Sequence, residues 1–387
     1  MSLVVVGAST NIARVAQTLG EPLIFVQLPG SHVPDLIRDD VDEAFTLDFR
    51  DERVLARFAE EILSPRRPKA VVSVTEGGLQ PAAVLSTLLG TPATSVDVVR
   101  VMRDKLLMRE LLAQRAPQLS VAFADARDED AVAKLFAGHD HVIVKPVSGT
   151  ASEGVRRLDA ADEARLYTDG NIFEEYVDGP EYSVESFSRA GRHDVVAIVE
   201  KGVAGHFVEV SHLTPPTTLT AGESNLIERS VRELLDALGL RDGPAHTELK
   251  VSNHGVKIIE THNRPGGDGI ADLVAITCGL DWRRLSLGWP LGESPVDPRP
   301  RANAAAITYF TAPPGTVTRT TEPACVSDGV TVEDWAIEVK VGDVVNDLRS
   351  SRDRVGWAIV SGTSAQACHS AVAALRAQPV VVTEAVS

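Results

Sequence analysis

Two glutamates, Glu248 and Glu260, lie on the two arms of the segment His246–Ile270, HTELKVSNHGVKIIETHNRPGGDGI. Apolar-rich runs flank Asn253-His254-Gly255, the pattern of a β-hairpin whose three-residue loop takes Gly at its left-handed third position. That register sets Glu248 opposite Glu260 on one face, with Cβ atoms about 4.5–5.5 Å apart. Facing like charges destabilise a sheet unless a cation lies between them. Mg²⁺ is such a cation, taking one or two carboxylates and filling its shell with phosphate oxygens and water. A slipped register that sends the carboxylates to opposite, solvated faces reads this stretch equally well.

Other segments carry chemistry of the same kind. HVIVKPVSGTASEGV (His141–Val155) is a short apolar strand ending in Lys145-Pro146, followed by a loop rich in Gly, Ser and Thr. A lysine beside a run of free backbone amides is a phosphate-binding arrangement, although no G-K-[ST] follows the glycines as in a P-loop. NIFEEYVDGPEYSVESFS (Asn171–Ser188) reads as two strands joined at Asp178-Gly179-Pro180. Its carboxylates, Glu174, Glu175, Glu181 and Glu185, would ordinarily belong to solvated strand faces. KGVAGHFVEVSHLTPPTTL (Lys201–Leu219) carries Glu209 and His212 ahead of Pro215-Pro216, which alone reads as a solvated carboxylate with an incidental histidine.

Taken in order, these segments resemble the ATP-grasp superfamily. The resemblance rests on Lys145 with the loop Ser148–Gly154, the linker Glu174-Glu175-Tyr176-Val177-Asp178-Gly179-Pro180-Glu181, and Glu248…Glu260-Thr261-His262-Asn263-Arg264. Asp104-Lys105, in VMRDKLLMRELLAQ, matches the lysine that heads a helix before the family's small subdomain. The resemblance implies ATP held by Lys105, Lys145, Ser152, Glu174, Tyr176, Val177 and Glu181. It implies Mg²⁺, with Mn²⁺ able to substitute, on Glu248 and Glu260. The segment Glu209-Val210-Ser211-His212 with its prolines is similar to that of the L-amino-acid ligases, which join an amino acid to an amine with release of ADP and phosphate. On that likeness Glu209, His212, Arg264 and Gly266 line the substrate pocket, with Glu76 as a minor candidate, and Arg264, Lys145 and Gly267 carry the catalysis.

One position departs from the pattern. The family's metal-binding asparagine, two residues after the second glutamate, is His262 here, with Asn263 one place later. Imidazole is a poor Mg²⁺ ligand. His262 is therefore expected to face the site without ligating, and Asn263 is the minor metal candidate. The implied reaction makes an acyl-phosphate from a carboxylate and lets an amine attack it, with Arg264 and the Gly266-Gly267 amides at the oxyanion. The alternatives are another ATP-grasp acid ligase of the nucleotide-biosynthesis or carboxylase type, or a nucleotide-binding protein without turnover. No biotinyl Met-Lys-Met motif occurs, which weighs against the carboxylase branch.

These residues need elements to position them. At 387 residues the chain is long enough for several cored units, and 44% hydrophobic with 24% charged content is ordinary for a globular protein. A net charge of −16, spread along the chain, argues against nucleic acid or an anionic membrane as partner. The resemblance implies a small carboxylate and a small amine as partners, with a homodimer as the candidate assembly. Cys278, Cys325 and Cys368 have no close-spaced pair, so neither a disulfide framework nor a zinc site is indicated. The start, MSLVVVGAST, has no basic n-region and too short an apolar run for a signal peptide, which reads as cytoplasmic.

The alternation of strands Leu3–Gly7, Pro22–Leu28 and Ala70–Thr75 with helices Asn11–Leu19, Arg53–Leu63 and Pro81–Leu89 predicts a parallel sheet. The G-x-G-x-x-G fingerprint is absent, so the opening turn resembles the degenerate domain that precedes an ATP-grasp fold. The fold class expected is α/β, an α+β ATP-grasp arrangement in four units. These are an N-terminal parallel-sheet domain (1–100), a small lid subdomain (101–170), a large subdomain with the metal hairpin and the helix Glu223–Leu238 (171–295), and a C-terminal α/β domain (296–387). The proline-rich run Trp289–Pro300 is the best linker in the chain.

Overall fold

The first strand is four apolar residues, LVVV (β1, Leu3–Val6), every one of them buried. With β2 (Leu23–Gln27), β3 (Glu43–Thr46) and β4 (Ala70–Val72) it makes a parallel sheet in the order β3-β2-β1-β4. Val4 and Val6 pack toward Phe49, Leu55 and Phe58, while Leu3 and Val5 pack toward Ala13, Ala16 and Leu287. A strand covered on both faces needs an unbroken apolar run, which is why β1 shows no alternation. The edge strand β3, EAFT, escapes sequence reading because only alternate residues are partly buried and its glutamate disguises it. The computed structural model describes every residue except Met1, Ala8, 32–40, 150–151, 206, 295–297, 325–327 and 386–387. Cys325 is thus outside the described residues, and Cys278 and Cys368 are free thiols.

The small sheet consists of β5 (Phe123–Asp125), β6 (Val142–Pro146), β7 (Arg156–Leu158) and β8 (Asn171–Glu175), in the order β5-β8-β6-β7. Here the structure corrects two expected boundaries. β8 was expected in the large subdomain, yet it pairs with both β5 and β6 of the small one. The helix Lys105–Arg115 was expected in the lid, but its Met108 and Leu112 share a core with Leu234 and Leu235 of the helix Ala221–Leu238. Asp104 caps that helix on Leu107 N–H (3.0 Å), and Lys105 N–H donates to Val147 O at the end of β6 (3.0 Å).

The large sheet has eight antiparallel strands in the order β13-β12-β9-β10-β11-β14-β18-β16. They are β9 (Glu181–Arg189), β10 (Arg192–Ala204), β11 (Val208–Thr214), β12 (Gly243–Ser252), β13 (Gly255–His262), β14 (Ala304–Phe310), β16 (Val330–Ile337) and β18 (Gly356–Gly362). The helix Ala221–Leu238 covers one face, starting at a Thr220–Glu223 capping box and stopping at Gly239 with φ +76°. The C-terminal unit is not a separate layer as expected. β14 pairs with β11, so the last strands continue the same sheet past the proline-rich linker. A three-stranded sheet of β15 (Gly315–Thr320), β17 (Val344–Val345) and β19 (Val381–Glu384) completes this unit. Among the described residues no helix is long and apolar enough to cross a membrane.

Candidate active site

Alternation along the central strands sorts apolar from charged residues. On β9 and β12, Tyr182, Val184, Ala245 and Leu249 face the covering helix. The residues between them, Glu181, Glu185, His246 and Glu248, face the other way. Pairing sets His246 beside Glu185 on one side and His262 on the other, and Glu248 beside Glu260. The expected facing glutamates are present, but the route to them differs. The strands close at Ser252↔Gly255, a two-residue turn with Gly255 at φ +96°. From there Glu248 would face residue 259. An extra residue, Ile259, bulges between the pairs Leu249↔Ile258 and Glu248↔Glu260 and restores the match. The bulge also supplies a carbonyl, since Ile259 O accepts from Arg109 Nη2 (2.9 Å) and Lys145 Nζ (3.4 Å).

No strand carboxylate in this region is simply solvated. Glu174 is 3% exposed and receives Arg109 Nε (2.8 Å) and Lys145 Nζ (2.8 Å). Burial alone would push its carboxyl up, but the two cations outweigh it and hold Glu174 down to about 2. Burial likewise drives Lys145 below an ordinary lysine, an effect that Glu174 only partly offsets. Glu174 is therefore the counter-charge that places Lys145, and its own oxygens are already engaged by cations. Arg109, fully buried at the centre of this group, was missed by sequence reading. Its only sequence signal is a position one helical turn beyond Lys105.

The two facing hairpin carboxylates are neutralised one by one. Glu260 pairs with Lys105 Nζ (2.8 Å), and Lys105 also donates to Gly149 O of the glycine-rich loop (3.2 Å). Glu248 pairs with Lys201 Nζ (2.9 Å), which also meets Glu181 (2.7 Å) and Glu209 (3.1 Å). Burial opposes charge on Lys201, yet its three carboxylates raise it well above an ordinary lysine. Glu248 is held down to about 2, where burial and the facing Glu260 push up and Lys201 and His246 pull harder. Lys201 is the second residue that sequence reading missed, and parity with His212 across β10 and β11 is the signal that places it on this face. The carboxylate oxygens of Glu181, Glu209 and Glu248 lie within 4.8 Å of one another, a hard-oxygen set of the type that Mg²⁺ or Mn²⁺ accepts. The facing pair Glu248–Glu260 is thus only part of the anionic cluster.

Behind this row sits Glu185, fully buried, which accepts from His246 Nδ1 (2.5 Å), Trp282 Nε1 (2.5 Å) and Gly266 N–H (3.0 Å). His246 is held protonated, raised to about 9 by Glu185 and Glu248 against the pull of burial. Gly266 consequently has no amide to offer an oxyanion. A Cβ there would lie 2.6 Å from Glu185 and 2.8 Å from His246, so the glycine is required for close approach. Gly267, expected among the catalytic residues, lines a pocket together with Arg264 and Asp268. Glu76 is not free for a substrate either. It binds Arg103 (2.9 Å) and Arg264 (3.0 Å), lies 3.3 Å from His262 Nδ1, and so ties the N-terminal unit to the hairpin. His262 lies 3.3 Å from Glu260 and faces the carboxylates, as expected. Asn263 faces away, into a separate cavity with Ser73 and Ser286, which removes it as a metal ligand.

Two cavities meet at this row. A cleft of about 900 Å³ runs between the small sheet and the hairpin, lined by Lys105, Lys145, Ser152, Glu174, Tyr176, Val177 and Glu181 among others. Lys250 stands 5.2 Å from the centre of the Tyr176 ring and donates to Val177 O (3.2 Å). Ser152, at φ +56°, donates to Phe207 O (3.0 Å), so the loop reaches across the cleft to the β10–β11 turn. Thr150 and Ala151 of the predicted Ser148–Gly154 loop lie outside the described residues. A second pocket of about 660 Å³ is lined by Lys201, His212, His246, Arg264, Gly267 and Asp268 together with Glu209, Glu248 and Glu260, three carboxylates that also line the cleft.

Comparison with known proteins bears on the domains and the fold. Residues 160–272 match the ATP-grasp domain family. The chain carries an ATP-grasp domain. Residues 308–384 match the family described as L-amino acid ligase C-terminal domain 2. The crystal structure of an L-amino acid ligase from Bacillus licheniformis is similar over 100% of this chain and 99% of that one, with a TM-score of 0.78 at 21% identity. At that identity the likeness speaks for the fold. A probable alpha-L-glutamate ligase of Picosynechococcus is 27% identical over 226 residues, 55% of this chain and 71% of that one. The protein y4rH of Sinorhizobium fredii is 30% identical over 165 residues, 39% of this ATP-grasp chain and 34% of its own length. The chain spans about a third to a half of the length of the first curated relatives it matches.

Proposed function

We propose that this ATP-grasp protein joins a carboxylate, an amino acid in the first instance, to an amine through an acyl-phosphate, with ATP converted to ADP and phosphate. The single observation that carries the reading is the row Glu209, Glu248 and Glu260, common to the nucleotide-sized cleft and the second pocket. Phosphoryl transfer needs its donor and acceptor on either side of one charge-balancing element. The second pocket also leaves room for an amino acid, more than formate or bicarbonate would use.

ATP would lie in the cleft, its phosphates toward Lys105 and Lys145, which Glu260 and Glu174 hold in place. Mg²⁺, held by Glu248 and Glu260 with Glu181 and Glu209 close by, would supply charge neutralisation at the phosphates. A substrate carboxylate drawn to Arg264 attacks the γ-phosphorus, and the bond to ADP breaks. Preorganised cations stabilise the charge that develops there without reorganising. The amine then attacks the acyl carbon and phosphate leaves. His212 is 2% exposed, with neither ring nitrogen in a close hydrogen bond and Nε2 3.9 Å from Asp268, and it would take the proton that the amine must lose. Glu209 lies in the same pocket and attracts the incoming ammonium. The loop that Ser152 anchors to Phe207 excludes water, which would otherwise hydrolyse the intermediate.

A screen of amino-acid pairs for ATP-dependent phosphate release tests the reading. Stoichiometric ADP and phosphate together with an amide product is the expected result. Formation of AMP and pyrophosphate, or nucleotide binding with no turnover for any pair, would overturn it.

A further inference from the structure

Beyond the substrate pocket lies a third cavity of about 580 Å³, between the helix Ile270–Cys278 and the C-terminal strands β14 and β18. Asp268, Asp272, Tyr309, Glu338, Arg354 and Trp357 are among the residues that border it. It shares no lining residue with the nucleotide cleft, and with the substrate pocket it shares only Asp268. The partition between the two is an ion pair in which Arg354 Nη1 and Nη2 each lie 2.9 Å from the Asp268 carboxylate. Arg354 also donates to Glu209 O (3.3 Å) and lies 3.6 Å from the centre of the Tyr309 ring. Asp268 itself takes φ +50°, a left-handed conformation that a non-glycine residue adopts at some strain, and such positions gather where a site requires them.

We propose, on the basis of the ligase reading, that this cavity receives the side chain of the amine substrate and selects a cationic one. The charges around it decide the sign. Arg354 is satisfied by Asp268, and Asp272 by Arg283 (2.6 and 2.7 Å). Glu338 has no ion pair among the described residues, so one carboxylate is left over. A basic side chain supplies the missing partner, whereas an acidic one meets Glu338 with no uncommitted cation among the described lining residues. The walls agree with the charge. Tyr309 is 6% exposed and lines the cavity. Its hydroxyl oxygen can accept from an ammonium or guanidinium. Trp357 adds an aromatic face of the kind that attracts cations, and Ile307 and Ile359 suit the aliphatic stem of a long basic side chain. In this reading the reacting nitrogen lies beside Glu209 and His212, and the side chain reaches the cavity when the Arg354–Asp268 pair opens, Asp268 being the residue that lines both pockets.

The test uses the full chain with Mg·ATP and acceptors matched in length: arginine and lysine against norleucine and glutamate. The expected result is a kcat/KM for basic acceptors about tenfold above norleucine, the size of one charge-assisted contact. Glu338→Lys should erase that ratio, and Glu338→Gln should lower it part-way. Glu338 is exposed, so neither change should threaten folding. Arginine binding, followed by saturation-transfer NMR without ATP, is read in parallel. Binding that Glu338→Lys abolishes supports the cavity assignment even where no pair is turned over, an outcome that removes only the ligase reading. Amide synthesis whose acceptor ratio is the same in wild type, Glu338→Lys and Trp357→Ala would overturn the proposal while leaving the ligase reading intact.

Discussion

The proposed nucleotide end and the proposed substrate end of the site use the same side-chain types with different degrees of completion. At the nucleotide end every buried cation has an assigned anion: Lys145 and Arg109 close on Glu174, and Lys105 on Glu260. At the substrate end His212 is buried with both nitrogens lacking close hydrogen bonds, and Arg264 reaches the pocket from a pairing with Glu76 of another unit. A triphosphate is a constant ligand, so its site can be preorganised from neighbouring strands of the large sheet and the lid. The second pocket, lined by the central unit and by Ser351 of the C-terminal one and left partly unsatisfied, would be completed by whatever molecule binds there. Burying polar groups without partners is costly, and a ligand that supplies the partners recovers that cost.

The largest expected effect breaks the nucleotide end. Glu260→Gln should keep a wild-type circular dichroism spectrum yet lose on the order of 10²–10³ in kcat, the usual result of removing one well-placed electrostatic stabiliser. His262→Asn should cost far less, because His262 faces Glu260 without being needed as a ligand. Equal losses for the two variants would mean that the imidazole takes a direct part.

Lys201 joins the two ends, so removing its charge sharpens the comparison. Lys201→Met leaves Glu181, Glu209 and Glu248 crowded and uncompensated in a buried place, and losing one partner of a buried ion cluster typically costs about 3–5 kcal/mol. The melting temperature of the metal-free variant should fall, and millimolar Mg²⁺ should recover much more of it than it adds to wild type. A melting curve indifferent to Mg²⁺ would disconnect these carboxylates from metal binding.

At the substrate end the effects should separate by kinetic constant. Glu209→Ala should raise KM for the amine roughly ten- to a hundredfold, the range for a contact to a charged group. His212→Ala, which removes the proton acceptor, should lower kcat for every amine, with the KM for ATP nearly unmoved in both. Arg264→Ala should also depress kcat, for every acid tested, since its charge is wanted in the transition state. Steady-state kinetics with ATP and both substrates varied separately decides this. If Glu209→Ala raises the KM for ATP as much as for the amine, the two ends are not distinct.

The smallest effect is in pH. His246 is raised from an ordinary histidine value to about 9 by Glu185 and Glu248, so the folded state binds its proton more tightly than the unfolded chain. That contribution is complete below about pH 6.5 and is lost as pH rises through about 9. Urea midpoints of the metal-free protein between pH 6 and 10 should decline more steeply for wild type than for His246→Gln. The carboxylates have the opposite sign. Glu174 and Glu248, held at about 2, stabilise above the ordinary glutamate range and lose this only as pH falls toward 2.

The sequence by itself determined the local elements and their chemistry. Apolar runs such as LVVV, the capping box at Thr220, the lysine at the end of β6 and a glutamate on each arm of the hairpin depend on residues close in the chain. Period, caps and turn residues encode such features directly. What only the tertiary structure decided is which charge answers which. The bulge at Ile259, invisible in a run of apolar residues, sets the register and hands its carbonyl to Arg109 and Lys145. Lys201 finds three carboxylates from β9, β11 and β12, and Glu76 reaches Arg264 across 188 residues of chain. The C-terminal strands join the central sheet and bring Arg354 to Asp268, which closes one pocket and opens another. A charged side chain shows its sign in sequence but not its partner. In a buried site the partner determines whether it binds substrate, as Glu209 is placed to do, or holds another residue in place, as Glu76, Glu174 and Glu185 do.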